Sequence, residues 1–174
     1  MISPIYYVVV VVFILLSAFS SAAEMAYSSA NRLRLENMGE NGNKAAALAC
    51  KIYDRYDDML SSVLILNDLV NIGASSIVSI IALSIASQGN LPFATTLGTI
   101  CITILIIIFG ETIPKIVAKK NANKIATEFA YIVRGLMFIL KPLVLVVVSL
   151  IHLITKPLRG EKPADEQETA VEEL

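Results

Sequence analysis

Phe109-Gly110-Glu111-Thr112-Ile113-Pro114-Lys115 closes a run, 100–108, in which only Cys101 and Thr103 interrupt isoleucine and leucine. Hydropathy therefore places the Glu111 carboxylate inside or at the edge of a membrane span. There its burial costs on the order of 3 kcal/mol on insertion scales and demands a partner or a cavity. Pro114 has no N–H to give to the carbonyl of residue 110, so the Gly110 oxygen loses its usual helical partner beside that acidic side chain. A free carbonyl next to a carboxylate suits a hard cation. The stretch predicts a membrane helix ending in an ion site.

Composition agrees with the membrane. Of 174 residues, 56% are hydrophobic and 17% charged. Soluble domains average about 45–50% and about 25%, so the shift is toward a bilayer protein. Cys50 falls in a polar loop and Cys101 in an apolar run, which argues against their pairing. The single histidine, His152, lies in an apolar run and reads as an interfacial or packing residue. Ser21-Ala22-Ala23 resembles a signal-peptide cleavage site, but no basic residue precedes the apolar stretch, so 5–28 is expected to be a retained span.

Four apolar runs, about 5–28, 59–87, 93–118 and 136–155, approach the ~20 residues that cross a bilayer. Basic residues follow the first run (Arg32, Arg34, Lys44, Lys51, Arg55), the third (Lys115, Lys119, Lys120, Lys124, Arg134) and the fourth (Lys156, Arg159, Lys162). The connection Ser87-Gln88-Gly89-Asn90-Leu91-Pro92 carries no charge. Positive charge marks the cytoplasmic side, so the pattern reads in, out, in, in. A run that is basic at both flanks does not cross once, and Lys141-Pro142 breaks it. The fourth run is therefore expected as a juxtamembrane helix in the inner leaflet. The N-terminus lies outside, with Tyr6 and Tyr7 at the outer headgroup belt, and the C-terminus in the cytoplasm.

Segments 31–38 and 44–56 alternate charged and apolar residues at helical spacing around the turn Gly39-Glu40-Asn41-Gly42-Asn43, which predicts a short helical hairpin. Asp57 and Asp58 are expected to cap the second span. Residues 161–174 are acidic and carry no core of their own, so they read as disordered or as the start of a further domain. The expected fold is an all-α membrane protein with three transmembrane helices, a juxtamembrane helix and a helical hairpin.

Each span offers one polar face. Ser17, Ser21, Glu24 and Ser28 follow steps of four, three and four; Asn67, Asn71 and Ser75 recur every four; Thr99 and Thr103 lead to Gly110 and Glu111. Such residues commonly glue helices together, at about 0.6–2 kcal/mol each. Glue does not need a carboxylate, and three polar faces can converge on one cavity. Their oxygens suit Mg²⁺, Ca²⁺ or Na⁺ rather than soft metals. Glu24 joins the site, gates it, or pairs with a basic residue. Asp68 points about 100° away from Asn67, toward a second polar surface such as a symmetry mate, toward a second ion, or into a local bond.

Three segments resemble the transmembrane domain of the CNNM/CorC family of magnesium transport proteins. Phe19-Ser20-Ser21-Ala22-Ala23-Glu24-Met25-Ala26 looks like its F-x-S-[GA]-[SA]-E-x-A stretch, and Asn67-Asp68-Leu69-Val70-Asn71 like its G-N-x-L-V-N segment. The opening motif matches its F-G-E-x-x-P-K signature. Leu66 stands where the family usually has glycine, and Ala23 where serine is frequent.

The resemblance covers about residues 5 to 160, so 1–160 is expected to be the transmembrane domain and 161–174 a linker toward a cytoplasmic CBS-pair region outside this chain. It implies a homodimer and a Mg²⁺ site among the spans, associated with export and with Na⁺ as coupling ion. Carried over by position, the implied ligands are Ser21, Asn71, the Gly110 carbonyl and Glu111, with Asn67 next; Glu24, Pro114, Ser17 and Ser75 support or hinge them. Neither an enzyme nor a nucleic-acid binder is expected, since no G-x-S-x-G element or phosphate loop occurs. The alternative to a transporter is a Mg²⁺-binding membrane sensor or scaffold that conducts nothing itself.

Overall fold

The computed structural model describes residues 3–86 and 92–155, and every regular element among them is helical. In order these are α1 (Ile5–Ser29), α2 (Arg32–Glu40), α3 (Lys44–Tyr53), α4 (Tyr56–Ala86), α5 (Pro92–Ile107), a π-helical turn (Ile108–Thr112), α6 (Ile113–Lys120) and α7 (Ala122–Thr155). The uncharged connection at 87–91, the basic residues Lys156, Arg159 and Lys162, and the acidic tail lie outside the described residues. So do the side chains of Thr99 and His152.

The chain is an all-α, multi-pass membrane protein. α1, Tyr56–Ser84 within α4, and Ala122–Val146 within α7 are each long and apolar enough to cross a bilayer. Val8, Val11, Leu15, Ile72, Leu83, Ile100 and Ile104 are exposed along these helices and α5. A water-facing surface rarely carries so much contiguous apolar area. The expected third span is helical from Pro92 to Lys120, but the π-helical turn divides it into pieces of 16, 5 and 8 residues. It does not form one uninterrupted α-helix.

The fourth apolar run departs from its expected bounds. Its helix begins at Ala122 and continues through Pro142 to Thr155. Charges at Lys124, Glu128 and Arg134 obscure the early start, yet Ala126, Ala130 and Val133 recur at helical spacing and are buried. Proline deletes only one hydrogen bond, whereas ending the helix in apolar surroundings would unpair several backbone groups. Residues 1–140 form one compact unit, and the second begins at Lys141.

The hairpin forms through its caps. Asn31 accepts from the Arg34 N–H at 3.1 Å, and Asn43 accepts from those of Ala45 and Ala46, both at 3.1 Å. Gly42 turns the chain between them at φ +92°, a conformation that favours glycine. α3 ends at Tyr53, and α4 starts at Tyr56, so Asp57 and Asp58 are the second and third residues of its first turn rather than its cap. There they complement the helix dipole, and Asp58 pairs with Arg55 at 2.7 Å.

Small residues bring α1, α6 and α7 close at one end of the unit. Ala23, Ala26, Ala118, Ala126 and Ala130 are fully buried with Tyr27, Met59 and Val63. The Tyr27 hydroxyl donates to the Ala126 carbonyl at 3.1 Å, and the Phe19 and Phe129 rings lie 4.8 Å apart. This packing fixes α1 lengthwise, and with it the polar face that α1 shows to α4 and the π-helical turn.

Candidate ion site

Ser17 on α1 stands at the centre of an oxygen cluster. Its Oγ lies 3.3 Å from Asn67 Oδ1, 3.2 Å from Asn71 Oδ1 and 3.2 Å from the Gly110 carbonyl oxygen. Ser17, Asn67 and Gly110 are buried and Asn71 half-buried. Four oxygens from three helical segments thus share a single hydroxyl proton, which can be donated to only one acceptor at a time. Turning either amide over would hand Ser17 a donor; as placed, both oxygens face inward. The cluster is rich in lone pairs and poor in hydrogens, the composition of a hard-cation site.

The Gly110 oxygen reaches the cluster because the helix changes pitch. Pro114 offers no N–H to it, and the Ile113 N–H bonds instead to the Ile108 carbonyl, five residues back. The backbone thereby makes a π-helical turn, a feature often found at functional sites. A Cβ on Gly110 would lie 3.2 Å from Ser17 Oγ and 3.4 Å from Ser17 Cβ, so a residue without a side chain suits this approach.

Glu111 is engaged beside the cluster. Its Oε1 lies 3.1 Å from Lys115 Nζ, which also sits 3.2 Å from Glu24 Oε2. The three side chains are partly exposed, at 41% for Glu111, 26% for Lys115 and 22% for Glu24. Of the expected roles of Glu24, the geometry places it in a pair with a basic residue. Lys115 reads in the sequence only as a mark of the cytoplasmic end, although its i,i+4 spacing from Glu111 is the signature of a helical ion pair.

The other expected residues fall in distinct places. Ser21 is fully buried one turn from Ser17, and its hydroxyl has no hydrogen-bond partner. Ser75 is exposed and lines an open groove of about 400 Å³ with Asn71, Ile72, Ser76 and Ser79. Asp68 is exposed on α4 and Thr103 on α5. Ser28 ends the α1 stripe in a 2.8 Å bond with the Tyr56 hydroxyl. Among the described residues no group of three or more His, Cys, Asp or Glu could hold a metal, so most ligands to a cation here would be neutral oxygens.

Comparison with known proteins gives the same family for most of the chain. The family described as the cyclin M (CNNM) transmembrane N-terminal domain matches residues 8–174. A UPF0053 protein of Haemophilus influenzae is 34% identical over 152 residues, 87% of this chain and 34% of its own length. The UPF0053 inner membrane protein YfjD of Escherichia coli is 31% identical over 129 residues, 74% of this chain and 29% of its own. A polyamine export protein of Haemophilus influenzae is 30% identical over 144 residues, 78% of this chain and 33% of its own. The chain spans about a third of the length of these relatives.

Proposed function

We propose that this chain, which belongs to the cyclin M transmembrane domain family, is the ion-translocating part of a Mg²⁺ exporter coupled to Na⁺. The observation that carries the proposal is the Ser17 hydroxyl ringed by three acceptor oxygens at 3.2–3.3 Å. Mg²⁺ gives up its water reluctantly, and a site that strips it must replace several oxygens at once. Asn67, Asn71, Ser17 and the Gly110 carbonyl supply four, and the unpartnered Ser21 hydroxyl is available as a fifth. Glu111, adjoining Gly110, supplies charge by leaving Lys115 when the cation arrives. The π-helical turn, held by Pro114, serves as the hinge of alternating access.

The working unit is a homodimer. Asp68 and the polar groove beside Ser75 are open to the surface of a helix long enough to span the bilayer. A second copy would cover them at less cost than lipid. The distribution of basic residues supports an N-terminus outside and a C-terminus in the cytoplasm. In that topology 92–120, uncharged until Glu111, is the third span. α7, with Lys124, Glu128, Arg134 and Lys141 along it, lies at the inner surface and leads to a CBS-pair region.

One observation favours a second reading. The Glu24 and Glu111 carboxylates hold a primary ammonium, that of Lys115, and a polyamine presents the same group. The relative named as a polyamine export protein makes export of an organic cation worth testing beside Mg²⁺. A sensor that binds Mg²⁺ without conducting it is the third.

Purified protein in proteoliposomes separates them. The transporter reading expects Mg²⁺ flux that Asn71→Ala and Glu111→Ala abolish. Spermidine flux without Mg²⁺ flux overturns it in favour of the polyamine, and Mg²⁺ binding without any flux in favour of the sensor.

A further inference from the structure

We propose that a groove between α3 and α7 binds the phosphate of an anionic phospholipid headgroup. The groove, about 470 Å³, is lined by Lys44, Ala47, Leu48, Lys51, Tyr131 and Arg134. The first four follow steps of three, one and three and so form one stripe of α3. Arg134 meets that stripe from α7, so three cations from two separate elements surround one space.

These cations are not spent on each other's neighbours. Among the described residues Arg32, Arg55, Lys115 and Lys124 make ion pairs, and Lys44, Lys51 and Arg134 make none. Three unpaired positive side chains around one groove repel one another, and an anion relieves that repulsion. A phosphate also matches the planar fork of Arg134, which can donate to two of its oxygens at once.

The surroundings select a lipid over a free phosphate. Tyr131 is 60% exposed, Phe138 79% and Ile139 71%. Tyr131, Arg134 and Phe138 are spaced by three and four, so the cationic groove continues along one helix face into bare aromatic surface. A side chain added to Gly135, between them, would meet nothing within 4 Å. A free phosphate would satisfy the cations and leave that surface uncovered; an acyl chain would cover it. Tyrosine beside basic residues is also the composition of a headgroup layer. The proposal does not depend on which cation the oxygen cluster carries.

The test uses the full chain in a neutral detergent, titrated with dioleoyl phosphatidylglycerol and followed by native mass spectrometry. We expect one retained lipid per chain. The K44Q/K51Q/R134Q variant should weaken retention about tenfold or more, given three lost attractions between basic side chain and anionic lipid. The K119Q/K120Q variant, which removes two cations outside the groove, should leave retention unchanged. Arg134→Lys, which keeps the charge and loses the fork, should fall between. Phe138→Asn should weaken the lipid while leaving those cations in place. The substituted cations are at the surface and repel one another, so the lipid-free unfolding temperature should not fall. Equal retention by wild type and the triple variant, or equal loss in the K119Q/K120Q control, overturns the site. Displacement of the lipid by millimolar inorganic phosphate overturns the headgroup assignment in favour of a soluble phosphate.

Discussion

The Ser17 hydroxyl and the Gly110 carbonyl oxygen, 93 positions apart in the chain, lie 3.2 Å from each other with no side chain between them. Gly110→Ala would put a methyl 3.2 Å from that hydroxyl. In a helix alanine is favoured over glycine by about 1 kcal/mol, which offsets part of this crowding, so the change in stability should stay within about 1 kcal/mol. Mg²⁺ affinity should nevertheless fall about tenfold or more, read by titration calorimetry. Unchanged affinity would separate the Gly110 oxygen from the ion.

Ser17→Ala and Ser21→Ala should differ in their effect on the ion-free protein. Ser17 donates its one proton to an acceptor on a neighbouring segment, and its loss should destabilise by about 1 kcal/mol. Ser21 is buried without a partner, so Ser21→Ala should stabilise the ion-free protein by a similar amount. If Ser21 is a ligand, the same variant should lose the thermal protection expected of Mg²⁺ in the wild type. Thermal unfolding with and without Mg²⁺ reads both.

Pro114→Ala restores an N–H that can bond to the Gly110 carbonyl in competition with Ser17. The expected result is a more stable protein with weaker Mg²⁺ binding and at least tenfold slower flux in vesicles. A variant that transports at the wild-type rate would remove the hinge role of Pro114.

Lys115→Gln releases Glu24 and Glu111 together. With the side chains partly exposed, the loss in stability should be on the order of 1 kcal/mol. Divalent-cation affinity should rise severalfold, because the cation no longer competes with an ammonium. A fall in affinity would mean that Lys115 positions Glu111 for the ion.

Burial in α3 pushes the Cys50 thiol up from its ordinary range, the Asp54 carboxylate adds to this, and Arg32 opposes it. Less thiolate is then present at neutral pH in the folded chain than in the unfolded one, so maleimide should label Cys50 slowly at pH 7. The rate should climb toward high pH, with its midpoint displaced upward relative to protein unfolded in denaturant. Equal midpoints in both states would contradict the burial of this thiol.

The membrane class, the helical hairpin and the convergence of α1, α4 and the Gly110 segment were legible, because each rests on local spacing. Asn67 with Asn71 four apart is a pattern that one helix turn determines. What escaped the sequence depends on three-dimensional distance. Ser17 rather than Ser21 lies at the cluster's centre because Gly110 and both asparagines meet α1 at that level, which no spacing within α1 reveals. Glu111 faces Lys115 because two carboxylates on different segments can share one ammonium. The early start of α7 was hidden by charged residues that its buried alanine face tolerates.

The turn at Ile108–Thr112 has a further consequence, which is one of count. A π-helical turn holds one more residue than an α-helical turn of the same role, so everything beyond Thr112 is rotated by about 100° relative to an unbroken continuation of α5. That surplus residue aims Lys115 at Glu24 on α1. Deleting a single residue here would heal the helix into one continuous rod. It would also swing Lys115 a quarter-turn away from Glu24 on α1. The segment behaves as a spacer whose length is set to the residue, so shortening it by one should be more damaging than many substitutions within it.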